Sequence, residues 1–262
     1  MTANTLINVM VFGGGVYLLL NLYAYLMSDR RIFRPQSPSY THLPNELKIV
    51  SGQGERINAV YLEHPTAKYT LLFSHGNAED LGNVVPFMQQ FYERGYSVLM
   101  YEYRGYGTSE GRPATAKAKQ DITAAYDWLV QNRRIDPESI ISQGRSLGGA
   151  LATWLAAHRQ VGGLIVEISF VSAFRVLTRW PMLPWDKFNS VRSLRHTNCP
   201  VLVIHGTADP IIPFWHGQKL YEAAPGPRQH LWIEGGTHYD YVYVAGDEYI
   251  GAIQRFLDAL PN

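Results

Sequence analysis

Two spacings of apolar residues alternate along most of this chain. Short unbroken apolar runs, each bounded by turn residues, fall at 69–74 (YTLLFS), 97–102 (SVLMYE), 140–143, 164–168 and 201–205. Runs without polar alternation predict strands buried on both faces. Between them, Val84, Phe87, Met88 and Phe91 keep the i, i+3, i+4, i+7 spacing of a helix facing a core. Ala118, Ile122, Ala125 and Leu129 share that helical spacing, as do Ile250, Ile253, Phe256 and Leu257 near the C-terminus. Residues 47–51 and 57–63, separated by Gly52-Gln53-Gly54, predict a hairpin. Strand–helix–strand repetition predicts one α/β domain over residues 45–262, with a mostly parallel sheet covered by helices on both faces.

The N-terminus follows a third pattern. Residues 1–28 contain no Asp, Glu, Lys or Arg, and 6–27 read LINVMVFGGGVYLLLNLYAYLM. As a helix that run would be about 33 Å long at ~1.5 Å per residue, enough for a hydrocarbon core of ~30 Å. Gly13, Gly14 and Gly15 would weaken a soluble helix but are ordinary in a membrane span. A cleaved signal peptide fits less well: the segment before the run lacks Lys and Arg, the run is long, and no clean small-x-small site follows. Residues 1–28 are therefore expected to be a transmembrane anchor and 29–44 a linker containing Pro35, Pro38 and Pro44. Arg30, Arg31 and Arg34 follow the span, which predicts a cytoplasmic catalytic domain.

Charge narrows the partners. With 23 Lys+Arg against 22 Asp+Glu, the net +1 supplies no single-sign field suited to nucleic acid. Cys199 is the sole cysteine, so an intramolecular disulfide and a zinc site built from several cysteines are both excluded.

In an open parallel sheet, ligands sit at the carboxyl ends of the strands, so the residues following each strand carry the chemistry. The pattern G-x-S-x-G occurs twice, at Gly107–Gly111 around Ser109 and at Gly144–Gly148 around Ser146. A nucleophilic serine of this kind needs a sharp turn from a strand into a helix, with glycines two residues either side because larger side chains collide. Ser146 has that context: Ile140-Ile141-Ser142-Gln143 precedes it, and Ala150-Leu-Ala-Thr-Trp-Leu-Ala-Ala157 follows as a helix former. Ser109 lacks it, since a loop intervenes after Glu102 and Arg112-Pro113 stands where a helix would begin. The Ser109 segment is read as a glycine-rich turn.

A serine hydroxyl is a weak nucleophile at neutral pH and needs a base, itself oriented by a carboxylate. Among nine histidines, His238 lies where a strand (Leu231-Trp-Ile-Glu) runs into a Gly235-Gly236 loop ahead of the final helix. His75 and His205 end strands as His-Gly and are expected to stabilise turns. His42, His64, His158, His196, His216 and His230 have undistinguished flanks and are expected to be solvated. Asp209, just past the run 201–205, is the expected acid, ahead of Asp186, Asp240 and Glu167. Asp240 is expected to steady its own loop, and Glu167, inside a strand, to pair with an arginine. The developing oxyanion needs two backbone N–H donors. Leu147, next to the serine, would give one, and Asn77, in the loop Ser74-His75-Gly76-Asn77-Ala78-Glu79-Asp80, the other.

With these segments in place the chain resembles an α/β-hydrolase over nearly all of residues 45–262, through SHGNAEDLG (74–82), YEYRGYGTSEG (101–111), GRSLGGA (144–150), VLVIHGTADPIIP (201–213) and GGTHYD (235–240). The order serine, acid, base is the one that fold uses. More narrowly, it resembles the membrane-associated serine hydrolases of the α/β-hydrolase-domain group, which include protein depalmitoylases. The resemblance implies Ser146 as nucleophile, Asp209 as acid, His238 as base, and the Asn77 and Leu147 amides as oxyanion donors, with no metal or organic cofactor. The N-terminus departs from the depalmitoylases, whose lipidated cysteine-rich segment is replaced here by the apolar span.

The expected reaction is acyl transfer to Ser146, then hydrolysis by water activated through His238. Roughly thirty residues, 170–198, follow the sixth strand, too few for a large helical lid but containing Trp180-Pro-Met-Leu-Pro-Trp185. A short apolar cap next to a membrane anchor points to small-molecule or lipid substrates, esters or thioesters of acyl chains. Two other readings stay open: a serine peptidase on the same fold, which Asp209-Pro-Ile-Ile-Pro213 also resembles, and an inactive membrane-bound binding protein.

Overall fold

A computed structural model describes residues 2–261. The chain opens with helix α1 (Ala3–Ile32), whose end lies beyond the expected Ser28. Its apolar window has a mean hydropathy of 1.7 and no part of it is buried in the rest of the protein. By length and composition this helix can cross a membrane.

Among the described residues, eight strands form one sheet: β1 (Glu46–Ser51), β2 (Glu55–Leu62), β3 (Thr70–Ser74), β4 (Ser97–Tyr101), β5 (Ile140–Arg145), β6 (Gly163–Glu167), β7 (Val201–Gly206) and β8 (Arg228–Ile233). Their spatial order is β1-β2-β4-β3-β5-β6-β7-β8. The predicted hairpin is present, with β1 and β2 antiparallel and Ser51 opposite Glu55 across Gly52-Gln53-Gly54. β2 also pairs antiparallel with β4, and every later pairing is parallel. This is the α/β-hydrolase architecture.

The unbroken apolar runs have the cause expected of them. Leu72, Leu99, Ile140, Leu164, Val166, Val201 and Val203 enter one core. Their neighbours Leu71, Phe73, Val98, Met100, Ile141, Ile165, Leu202 and Ile204 enter another on the opposite face. The first core is closed by α3 (Thr115–Asn132) and α4 (Leu147–Ala156), through Ala118, Ile122, Leu129, Leu151 and Leu155. The second is closed by α2 (Leu81–Tyr92) and α8 (Asp247–Asp258), through Val84, Met88, Phe91, Ile253, Phe256 and Leu257. At ~25 cal/mol per Å2 of apolar surface, two such layers supply the main driving force for folding.

Three short helices complete the order: α5 (Ser190–Leu194), α6 (Trp215–Ala223) and α7 (Tyr241–Ala245). The segment between β6 and β7, which includes α5, is the cap. Asp186 organises it by accepting from Ser172 Oγ (2.5 Å) and the Phe174 and Lys187 amides. The cap also touches α1. Tyr17 Oη donates to the Met182 carbonyl (3.2 Å), Trp185 Nε1 donates to Asn21 Oδ1 (3.2 Å), and the Tyr25 and Trp185 rings meet edge-on at 5.6 Å.

Candidate active site

Parallel pairing puts the carboxyl ends of β3, β5, β6, β7 and β8 along one rim, in register: Ser74 lies opposite Gly144, Arg145 opposite Glu167, and Gly206 opposite Ile233. Each predicted residue lies just beyond one of those ends. Asn77 follows β3, Ser146 follows β5, Asp209 follows β7 and His238 follows β8.

Ser146 is forced into a backbone conformation that L-residues avoid, with φ 53° and ψ −117°. The chain reverses there from β5 into α4 so tightly that a Cβ on Gly148 would run into the Ser74 carbonyl, and one on Gly144 into the Gly148 carbonyl. The turn is pinned at both peptide groups, since Ser146 N–H donates to the Glu167 carbonyl (2.9 Å) and Ser169 Oγ donates to the Ser146 carbonyl (2.7 Å). Such strain persists only where its surroundings over-determine it. Leu147 is the first residue of α4, where an N–H has no acceptor within the helix. Ser109 has no such turn: it lies in an irregular loop, and its Oγ accepts the Asn58 amide (2.8 Å).

The loops after β7 and β8 are tied to each other. Ala208 N–H donates to the Gly236 carbonyl (3.1 Å) and Gly235 N–H to Thr207 Oγ1 (2.9 Å). Gly206 permits this, because a Cβ there would strike the Gly236 carbonyl. The result brings His238 Nδ1 to 2.7 Å from Asp209 Oδ2. The other Asp209 oxygen accepts the Ile211 and Ile212 amides, both at 2.8 Å. Burial alone would raise this carboxyl's pKa, but the His238 imidazole and the two amides outweigh it and hold the pKa below the usual carboxylate range. An ionised carboxylate here favours the His238 tautomer that carries a proton on Nδ1.

A family model described as serine aminopeptidase, S33, matches residues 65–188. Alpha/beta hydrolase domain-containing protein 17B of Xenopus tropicalis is 36% identical over 211 residues, covering 79% of this chain and 73% of that protein. The chain belongs to the α/β-hydrolase domain-containing family. Protein 17C of Mus musculus is 37% identical over 203 residues, 76% of this chain and 62% of that one. Alpha/beta hydrolase domain-containing protein aho-3 of Caenorhabditis elegans is 36% identical over 74% of this chain and 59% of its own. The matches thus span about three fifths of these last two relatives. The fold is also that of the Pyrococcus furiosus esterase Pf2001, at a TM-score of 0.73, 19% identity and coverage of 87% of this chain and 99% of that one.

Within this fold several expectations need adjustment. Glu167 takes no arginine ion pair. It accepts instead from Gln143 Nε2 (2.6 Å), Tyr241 Oη (2.6 Å) and Tyr249 Oη (3.0 Å), so its charge is satisfied by neutral donors. The arginine beside it in the sheet, Arg145, pairs with Glu79 (3.3 Å) and lies over the Phe87 ring at 4.6 Å. Glu79 in turn accepts the Gly76 amide (2.6 Å), which ties Arg145, the residue before Ser146, to the loop carrying Asn77. Neither role is legible from flanking residues, because both depend on which strand lies next to β5. His216 is fully buried rather than solvated. Its Nδ1 accepts the Val171 amide (3.1 Å), and burial above all pushes its pKa down to about 4. His205 is also buried, its Nε2 2.8 Å from the Ile212 carbonyl, which fits the expected turn-stabilising role. Asp240 accepts from Thr237 N and Oγ1 and so steadies the His238 loop.

Among the described residues, no group of three His, Cys, Asp or Glu side chains is placed to hold a metal. A concavity of about 930 Å3 lies elsewhere, between β1 and α3, lined by Val50, Lys119, Trp128 and Trp154 among others; none of the predicted site residues borders it.

Proposed function

We propose that this chain is a membrane-anchored serine hydrolase that cleaves carboxylic ester or thioester bonds of acyl substrates through an acyl-enzyme on Ser146. The observation that carries the reading is the Asp209–His238 pair, held at 2.7 Å at the same strand rim as a serine in a strained strand-to-helix turn. His238 Nε2 takes the Ser146 proton as Oγ attacks the acyl carbon, and Asp209 stabilises the imidazolium that forms. The Leu147 and Asn77 amides take the charge on the carbonyl oxygen. His238 then protonates the leaving group, and water activated by the same imidazole releases the acid.

The substrate class rests on the anchor. The cap contacts α1 at Tyr17, Asn21 and Tyr25, and its Leu177, Trp180 and Met182 are exposed. At ~1.5 Å per residue, Tyr17 lies roughly 15 Å along the helix from Met27, about half the thickness of a hydrocarbon core. Acyl chains presented by the same leaflet would therefore meet the cap first. Arg30, Arg31 and Arg34 favour a cytoplasmic catalytic domain.

A fluorophosphonate probe tests the chemistry on the detergent-solubilised chain. The wild type should label and Ser146→Ala should not, whereas Asp209→Asn should lower kcat by about 1,000- to 10,000-fold with the fold intact. On p-nitrophenyl esters of rising length, kcat/KM should increase towards long chains. Strict preference for acetyl would remove the lipid substrate, hydrolysis of aminoacyl p-nitroanilides instead of esters would favour the peptidase, and an unlabelled wild type would leave a binding protein.

A further inference from the structure

The anchor helix does not simply end where the catalytic domain begins. Its last residues sit in a socket. Asp29 accepts from Thr115 Oγ1 (2.6 Å) and pairs with Lys187 (3.3 Å), while Phe33 is buried with its ring 6.5 Å from Tyr106 and 6.1 Å from Phe188. On either side of Phe33 the backbone is held by the Asn77 side chain, and Tyr106 Oη also accepts the Arg34 amide (3.0 Å). Asn77 Nδ2 donates to the Ile32 carbonyl (2.6 Å), and Asn77 Oδ1 accepts the Arg34 amide (3.1 Å) and Tyr106 Oη (2.5 Å). A few residues on, Ser39 N and Oγ both donate to the Asp80 carboxylate at 2.5 Å, and Asp80 also caps α2 through the Asn83 amide (3.2 Å). A polar crevice of about 150 Å3, bordered by Ser37, Ala78 and Glu79, opens between these two grips. The linker therefore holds the loop 76–80 at its two ends.

We infer that the exit of the anchor, residues 32–40, is a working part of the active site: through the Asn77 side chain it sets the position of the loop that offers the oxyanion its second donor. This rests on the serine-hydrolase reading above and adds a regulation to it, since a displacement of the anchor's end moves that loop. Asn77 acts here as a positioning residue through its side chain, and Tyr106, whose hydroxyl bridges the Arg34 amide and Asn77 Oδ1, as a second positioning residue that reaches the loop through Asn77. An oxyanion donor must lie within about 2.7–3.1 Å of the developing charge, and a misplacement of ~1 Å costs on the order of 100-fold in rate. Ground-state binding of the acyl chain does not use that donor. The seat thus affects kcat and leaves KM alone.

The test uses the full chain in detergent, with Ser146→Ala as the blank. Asn77→Ala removes all three bonds, whereas Tyr106→Phe removes one hydroxyl and keeps the ring beside Phe33. For Asn77→Ala, kcat on a p-nitrophenyl ester and the rate of fluorophosphonate labelling should fall together by about 10- to 100-fold, with KM within about twofold. Tyr106→Phe should fall in the same two readouts by a smaller factor, and the double variant should be no slower than Asn77→Ala because both act on one link. Unchanged kcat in both variants, a loss confined to KM, or a multiplicative double variant would overturn the inference. Should Asn77→Ala fail to fold, Tyr106→Phe decides it alone. A wild type that neither labels nor turns over would instead sink the hydrolase reading itself.

Discussion

Adding a single methyl group has opposite consequences at two glycines of this chain, and the difference follows from what each Cβ would meet. At Gly148 the new carbon is driven into the Ser74 carbonyl, a backbone atom of a buried strand end that cannot yield without moving β3 or α4. At Gly251, in the middle of α8, the nearest atom is the Arg255 guanidinium at 3.1 Å, the tip of a flexible side chain. Overpacking a rigid site costs about 1–3 kcal/mol or more, whereas Gly→Ala in a helix interior gains about 0.8–1 kcal/mol. Gly148→Ala should therefore lower Tm by roughly 5–10 °C, and Gly251→Ala should raise it by about 2–4 °C, for a domain of this size. Calorimetry on the pair checks both signs. A Gly148→Ala protein as stable as the wild type would mean that the strand-to-helix turn is looser than its geometry implies.

Where elements join, a buried ion pair does the fastening. His75, just past β3, has its Nε2 3.4 Å from Glu102 Oε2, just past β4, and stacks on Tyr103 with ring centroids 4.2 Å apart. The other Glu102 oxygen accepts the first amide of α2, Leu81 N–H (2.8 Å), and Tyr40 Oη (3.0 Å). Burial opposes the charged imidazole, but the nearby Glu102 carboxylate prevails, so the His75 pKa is raised. A raised folded-state pKa means that the pair's contribution is complete below the unfolded value of about 6.5 and is lost as pH rises through the folded one. Glu102→Gln keeps an acceptor for Leu81 but removes the charge. Its deficit in unfolding free energy should be greatest near pH 5 and close as pH increases, and a deficit that widens with pH would contradict the assignment. The strands and helices meeting here are legible because each buries a periodic face, and the strand-to-helix turn at Ser146 because a glycine pattern with a strand before and a helix after it has few other uses. The rest was hidden for a physical reason. His216, Glu167 and the Asn77 side chain take their partners from segments 24 to 82 residues away, and no local period encodes such contacts.

For the molecule as a whole, helix α1 contributes almost nothing to the core, yet its end is built into the domain. The apolar window of α1 buries none of itself against the protein, and its contacts before Ser28 are the few with the cap. Residues from Ser28 onward are different, since Ser28 and Phe33 are buried and Asp29 is hydrogen-bonded to the start of α3. Deleting residues 2–27 should therefore give a soluble protein that folds and turns over a short soluble ester with kcat within about twofold of the full chain, because the socket and both cores are kept. The same deletion should lower turnover of a long-acyl ester embedded in vesicles by about 100-fold, the order by which tethering raises effective concentration. Fractionation and paired assays on the two substrates measure this directly. Equal losses on both would show that α1 is part of the folded domain, and no loss on either would show that the acyl substrate does not come from the bilayer.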